Sequence, residues 1–278
     1  MRHGAFNART NPARADDRTR HGAFLRPHVP TPHYPFTFTF YSAMRRLLLL
    51  LLLVVAVSGA QSVLAQKTIE KTASLTAGQR VFLNLKQASS IRVRAGAPGQ
   101  MSLKATININ QNRLNEALQL DLSSTIDELK ITADFDRKQL LGAQTSDCGG
   151  YDDQGRGRNL WYGQQVCDDI AYEITLPADV ALRVYTYGGN VDIAGLAGAL
   201  DVKTLGGFVD VSWPPDQGAE VSLKTISGEV YTDQDIAFTT PRVKNPIVGY
   251  QLRGNLRGSG PLVRLESIGN DVYFRKRK

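Results

Sequence analysis

The chain has 278 residues, with 33 Lys and Arg against 26 Asp and Glu, for a formal charge of +7. The excess is local: residues 1–65 hold eight Arg, two Asp and all four His (His3, His21, His28, His33), which leaves residues 66–278 at +1 with no His. A chain cut after residue 65 therefore has no imidazole for Ser-His or Cys-His nucleophiles, His-ligated zinc or His general bases, and its near-neutral balance gives no argument for nucleic acid as a partner.

Residues 1–43 are rich in Arg, His and Pro and carry no apolar period. Met44-Arg45-Arg46 is then followed by an unbroken apolar run from Leu47 to Val57 and by Ser58-Gly59-Ala60-Gln61-Ser62-Val63-Leu64-Ala65. A basic start, a short apolar run and a small-residue end make a secretory signal peptide over 44–65. The run is too short to cross a bilayer core, which takes about 20 residues, so no transmembrane span is expected in the mature chain. Cleavage is expected between Ala65 and Gln66, with Ala60 as the alternative end. No Cys follows the run, so a lipid-anchored signal is excluded. Signal peptides sit at the N-terminus, so translation is expected to start at Met44, with 1–43 a non-translated extension or a disordered tail.

The N-terminal β region, 66–136, alternates with period two. Val81, Leu83 and Leu85 come first, then Ile91 and Val93, then Leu103, Ala105, Ile107 and Ile109. Leu118, Leu120 and Leu122 follow, and then Leu129, Ile131, Ala133 and Phe135. Alternation of this kind is the half-buried strand signal. Ala77-Gly78, Ala97-Pro98-Gly99 and Ser123-Ser124 break the runs. Only a few residues near Arg113–Leu118 carry a helical period, so the predicted class is all-β.

Residues 137–170 interrupt the strands with a Gly- and Asp-rich loop that contains Cys148, Trp161, Tyr162 and Cys167. An exported chain seldom keeps free thiols, so the two cysteines are expected to form a disulfide, worth about 3 kcal/mol in the chain-entropy model. Asp152-Asp153-Gln154-Gly155 faintly resembles a calcium loop, but it lacks the alternate carboxylates and closing Glu that such loops need, so no metal or other cofactor is expected. Trp161 and Tyr162 are weak candidates for contact with a glycan or protein; the alternative is that they cover the loop's own small core.

From 171 to 278 the chain repeats. The frame Val184-Tyr185-Thr186-Tyr187-Gly188-Gly189-Asn190-Val191-Asp192-Ile193 recurs from Val202 with Gly206 and Gly207, from Leu223 with Ser227 and Gly228, and from Leu265 with Gly269. A degraded copy surrounds Val243-Lys244-Asn245. About 20 residues per unit fits a β-solenoid or β-helix-like stack of short strands, each coil burying its apolar face on the next. The turn glycines are expected to supply positive φ, and the Thr and Ser positions to stack as a ladder along the axis. An antiparallel β-sandwich with hairpins at the Gly-Gly and Ser-Gly turns is the alternative. Asp192 and Asp210 occupy equivalent positions and would stack about 4.8 Å apart, as a cation site, an acid/base pair or two solvated carboxylates. Tyr231 and Val272 break this series in the later copies. Arg275-Lys276-Arg277-Lys278 is expected as a solvated tail after the last strand.

The Thr-x-Gly-Gly and Thr-x-Ser-Gly units followed by Val-Asp-Ile or Glu-Val-Tyr, with the ending Gly254-Asn255-Leu256-Arg257-Gly258-Ser259-Gly260-Pro261, resemble a bacterial domain family of unknown function known as the "putative adhesin" domain. That family is related to the head domain of auto-transporter adhesins in Bacteroidetes-type envelopes. The resemblance covers about residues 170–278 and implies an exported, solenoid-like all-β protein without established catalytic residues. The expected function is a non-enzymatic envelope or surface scaffold that binds an unidentified protein or glycan, periplasmic or on the cell surface. The alternatives are an envelope-stress or regulatory component and a carbohydrate-active β-helix enzyme using Asp192 and Asp210.

Overall fold

The computed structural model describes residues 45–46, 66–144, 148, 159–239 and 249–277, with the backbone alone at 159–161. Ala65 and most of the expected signal segment, residues 1–43, Asp152-Asp153 and the degraded copy at Val243-Lys244-Asn245 lie outside the described residues. Among the described residues no helix is long and apolar enough to cross a membrane.

All strands belong to one unit, Val63–Lys278. The first six are β1 (Lys67–Ser74), β2 (Arg80–Leu85), β3 (Ser90–Ala95), β4 (Gln100–Ile109), β5 (Leu118–Ser124) and β6 (Glu128–Phe135). A one-turn helix, Arg137–Leu140, opens the long interruption, which ends in the hairpin β7 (Asn159–Trp161) and β8 (Gln164–Val166). Then come β9 (Asp168–Leu176), β10 (Leu182–Thr186), β11 (Asn190–Ala194), β12 (Leu200–Thr204) and β13 (Val209–Trp213). The last six are β14 (Ala219–Thr225), β15 (Val230–Thr232), β16 (Ile236–Phe238), β17 (Tyr250–Leu256), β18 (Leu262–Ser267) and β19 (Val272–Lys276).

The fold is all-β. Its nine-stranded sheet runs β16-β17-β14-β18-β12-β10-β2-β6-β5 and its eight-stranded sheet β1-β4-β9-β3-β11-β13-β19-β15. Both sheets are mixed, neither closes into a barrel, and their inward side chains share one core in a sandwich-like arrangement. Two boundaries differ from the sequence reading. Asp168 and Asp169, expected in the loop, open β9 and pair with Ile109 and Asn108. Arg275 and Lys276, expected as tail, belong to β19.

Each repeat frame places one strand in the nine-stranded sheet, a turn, and one strand in the eight-stranded sheet. The turns therefore do not close antiparallel hairpins. Neighbouring units pair in parallel, like position on like, so Leu83, Val184, Val202, Leu265 and Leu223 form one buried row. Ile91, Val191, Val209 and Val272 form the facing row. Burying each such side chain contributes about 1.5–3 kcal/mol relative to exposure. The spatial order differs from the chain order: β18–β19, the last copy, lies between β12–β13 and β14–β15.

The turns are joined by buried hydroxyls. Thr186, Thr204, Ser267 and Thr225 are fully buried and share one register line. Thr204 Oγ1 accepts from its own Gly207 N–H at 3.1 Å and donates to Gly189 O of the neighbouring unit at 3.1 Å. Ser267 does the same between Asn270 N–H and Gly207 O, and Thr225 between Gly228 N–H and Asn270 O. The ladder thus runs from hydroxyl to carbonyl rather than from hydroxyl to hydroxyl. Beside it, Gly206 N–H donates to Tyr187 O, Gly269 N–H to Leu205 O and Ser227 N–H to Ile268 O.

This geometry corrects the role expected of the turn glycines. The described glycines with positive φ are Gly78, Gly99, Gly163, Gly195, Gly249 and Gly258, none of them in the repeat turns. Gly189, Gly207 and Gly228 are required for close approach. A Cβ on Gly207 would overlap the Gly189 carbonyl, and one on Gly228 would overlap the Asn270 backbone.

Antiparallel strands flank the parallel stack at three of its four edges. Antiparallel β5 covers β6, β4 and β1 cover β9, and β17 and β16 cover β14. At the short edge strand β15, the Tyr250 hydroxyl accepts from Val230 N–H at 2.7 Å and donates to Glu229 Oε2 at 2.9 Å. Beyond β15, Asp233 accepts from Lys276 N–H and Gln234 donates to Arg275 O, so side chains replace the missing strand.

Two outcomes are expected. Thr204→Val leaves a buried N–H and a buried carbonyl without partners and destabilises by about 1–3 kcal/mol, whereas Thr204→Ser keeps both bonds and costs less. Equal thermal unfolding midpoints for wild type and Thr204→Val would contradict the hydroxyl bridge. Gly207→Ala forces its turn apart and lowers the midpoint sharply, while Gly206→Ala, whose added Cβ lies 3.5 Å from Tyr187 O, is tolerated.

Candidate functional site

The outward positions of the eight-stranded sheet carry the residues singled out in the repeat. Asp192 on β11 and Asp210 on β13 are register partners, as the repeat spacing predicts. Each is held by an arginine two residues further along the adjoining strand. Arg94 on β3 is bidentate to Asp192, with Nη1–Oδ1 at 3.0 Å and Nη2–Oδ2 at 2.7 Å. On the other side Arg275 on β19 is bidentate to Asp210, with Nε–Oδ1 at 3.0 Å and Nη2 on Oδ2. Planar guanidinium forks match carboxylates in this way. Each carboxylate is therefore paired with one guanidinium, which offsets its charge. Among the described residues no group of three His, Cys, Asp or Glu is placed to hold a metal ion.

The position equivalent to Asp210 in the last copy is Tyr273, not Val272, and Tyr231 follows on β15. Tyr231 stacks on Tyr273 with ring centroids 5.1 Å apart and planes 12° apart. Phe208 meets Tyr273 edge-on at 6.2 Å, and the Arg275 guanidinium lies 5.8 Å from the Tyr273 centroid. The Tyr273 hydroxyl donates to Asp271 Oδ2 at 2.9 Å, and this bond pushes its pKa up. Tyr231 keeps 49% of its surface exposed. The sheet thus ends in an aromatic platform with a cation at its margin.

Cys148 and Cys167 form a disulfide. It is anchored through Asn110, whose Oδ1 accepts from Cys167 N–H at 3.0 Å and whose N–H donates to Cys167 O at 2.9 Å. Asn110, Gln111 and Asn112 all have positive φ, a conformation that Asn tolerates better than most residues. The side chains of Asn108 and Asn115 hold this turn by accepting from Asn112 N–H and Ile109 N–H. Tyr162 and Gly163, both at positive φ, make the two-residue turn of the β7–β8 hairpin. Tyr162 is half exposed, and its hydroxyl reaches Asp134 Oδ1 at 3.4 Å. The side chain of Trp161 lies outside the described residues.

Asp134 ties the hairpin tip to the first turn of the stack. It accepts from Lys86 Nζ at 2.6 Å, Gln87 Nε2 at 3.0 Å and its neighbour Phe135 N–H at 2.8 Å. Burial pushes its carboxyl pKa up, but the bonds from Lys86, Phe135 and Gln87 and the Lys86 charge outweigh burial and hold it below the ordinary value of 3.8. The same hydrogen bond, donated to Asp134, raises the Lys86 ammonium above 10.5 against the effect of burial. A depressed carboxyl contributes stability above its unfolded value and loses it as pH falls through the folded one. The raised ammonium contributes below 10.5 and loses its share only in stronger alkali. Asp134→Asn should therefore lower stability at neutral pH, by at most about 1 kcal/mol for a partly exposed pair, and flatten the loss below the carboxylate range. A midpoint-against-pH curve identical to wild type would refute this.

No protein-family model and no curated protein matches the chain. Solved structures similar to it include a "putative cell adhesion protein" from Clostridium sporogenes, at 9% identity and TM-score 0.45, covering 77% of this chain and 100% of that one. Another is a "putative adhesin" from Bacteroides fragilis, at 11% identity and TM-score 0.30, covering 76% of this chain and 98% of that one. A third, from Parabacteroides merdae and of the same description, has 8% identity and TM-score 0.22 and covers 60% of this chain and 69% of that one. Their names coincide with the family that the repeat frame resembles.

Proposed function

We propose that this chain is an exported, non-enzymatic envelope or surface protein that acts as an adhesive scaffold, its strand–turn–strand units stacked as coils of a β-solenoid. The observation that carries the reading is the platform of Tyr231, Tyr273 and Phe208 with Arg275, an exposed aromatic group at the end of a sheet whose repeat carboxylates are already occupied by arginine. Stacked rings with a cation beside them supply rigid contact area for a glycan or a protein at low entropic cost. Export is supported by the signal-type segment before Gln66 and by the Cys148–Cys167 disulfide, which suits an oxidising compartment. The solenoid geometry is supported by like-on-like parallel pairing at a period of about 20 residues.

The test is retention of ligands by the protein recovered after expression of the full chain, on panels of glycans, matrix proteins and envelope fractions. Tyr231→Ala with Tyr273→Ala is expected to weaken the retained interaction about tenfold or more, as loss of aromatic anchors does. No retained ligand, or unchanged retention in the double variant, would count against the reading.

A further inference from the structure

The outward face of the nine-stranded sheet carries a different pattern, visible only once its strands are in register. One outward line crosses seven strands from β17 to β6: Arg253, Ser222, Arg264, Asp201, Arg183, Phe82 and Lys130. Basic residues fall on every second strand, roughly 10 Å apart over roughly 29 Å at ordinary strand spacing. Two residues further along the strands, a second line adds Lys224 on β14 and Lys203 on β12, with Glu266 between them. The cations of the second line stand on strands that the first line skips, so the two lines form a staggered array.

Six cations face two carboxylates in these lines, and each carboxylate is shared. Asp201 lies 3.6 Å from Arg183 and 3.8 Å from Arg264; Glu266 lies 3.1 Å from Lys224 and 3.5 Å from Lys203. Each trio keeps a net positive charge, and Arg253 and Lys130 add to it. Arg183 and Arg264 remain more than half exposed. Arg183 and Arg264 converge on one Asp201 oxygen, whose charge offsets their mutual repulsion, and all the cations attract a counter-charge laid along the line. The array is long and narrow. Glu128 on β6 and Glu220 on β14 flank it two residues before Lys130 and Ser222 on the same face.

We propose that this face binds an extended anionic polysaccharide lying across the strands. A linear polyanion can follow the two lines, while the flanking glutamates disfavour a planar anionic membrane. Phe82 holds Arg183 at 5.2 Å and Lys130 at 5.6 Å over its ring and so fixes two cations of the line, and Tyr185 on the second line offers apolar surface to sugar rings. Asp201 and Glu266 can accept from sugar hydroxyls between the cations. The site is separate from the aromatic platform and does not rest on the adhesive reading.

The experiment measures binding of the full-chain product to polygalacturonate and dextran sulfate, with neutral dextran, phosphatidylglycerol vesicles and duplex DNA as comparisons. The expected result is binding to both anionic glycans but not to neutral dextran, weakening steadily with salt as counterion release dictates. Arg183→Gln with Arg264→Gln is expected to weaken it about tenfold or more, while Arg183→Lys with Arg264→Lys retains most of it. Tyr231→Ala with Tyr273→Ala should leave it unchanged, which separates this site from the platform. Unfolding midpoints of the exposed-site variants check that folding is intact. The proposal is overturned by absence of binding, by equal binding to neutral dextran, by tighter binding to vesicles or DNA, or by insensitivity to the glutamine pair in a folded protein.

Discussion

The bond on which the stack depends is the buried hydroxyl at the third position of the repeat frame. Thr204, Ser267 and Thr225 each satisfy an N–H of their own turn and a carbonyl of the next. An unpaired buried backbone group costs more than a made hydrogen bond contributes, so the hydroxyl acts chiefly by removing two such penalties at once. It also fixes a second residue type. Drawing the neighbouring carbonyl close places it where a Cβ would stand at Gly207, so the turn carries Gly for lack of room. Strands on both sides of the turn inherit one register, and a slip of one residue would expose the whole apolar row.

The device does not reach both ends of the stack. In the first unit the register partner of Thr186 is set by β2 and β6, whose equivalent residues are Leu85 and Ala133. Beyond them the sheet ends in antiparallel β5, and the facing sheet ends in β4 and β1. At the other end Thr225 is the last hydroxyl of the line, and the next strand, β17, is again antiparallel. Parallel stacking runs two strands past the last hydroxyl in each sheet, through β2 and β6 and through β3 and β9, before antiparallel strands take over the edges. Tyr250 then accepts from an N–H of β15 itself, and Asp233 and Gln234 occupy β19 backbone groups that β15 is too short to cover.

Much of this was legible in the sequence where it depends on local period. Alternation located β2 to β6, and the frame located the turns and the Asp192–Asp210 pairing. β1 escaped because, as a largely exposed edge strand, it turns only Ile69 and Ala73 toward the core. The arginines that hold the aspartates escaped for another reason: Arg94 is 98 residues from Asp192 and Arg275 is 65 from Asp210, and each meets its partner diagonally across strands. Spacing along the chain also carries no spatial order, so the insertion of β18–β19 ahead of β14–β15 could not be read from it. The glycines were found at the right places for the wrong reason, because composition does not distinguish a residue that needs positive φ from one that needs an absent Cβ.

The charge balance shows the same division between what sequence totals contain and what register reveals. A net +1 over residues 66–278 describes a molecule with no preferred partner. Once folded, the two outer faces use their charges differently. On the eight-stranded sheet Asp192, Asp210 and Glu173 each meet one arginine, so carboxylate and cation cancel locally. On the nine-stranded sheet Asp201 and Glu266 each serve two cations, and the surplus stays on the surface. Inward positions are fixed by the core and turn positions by the hydroxyl bridge, so the outward positions alone are free to carry recognition. Because parallel stacking places equivalent positions of successive units side by side, one residue choice per unit becomes a line of charge or of rings. The repeat thereby converts a nearly neutral chain into two chemically distinct faces without altering the core that holds them.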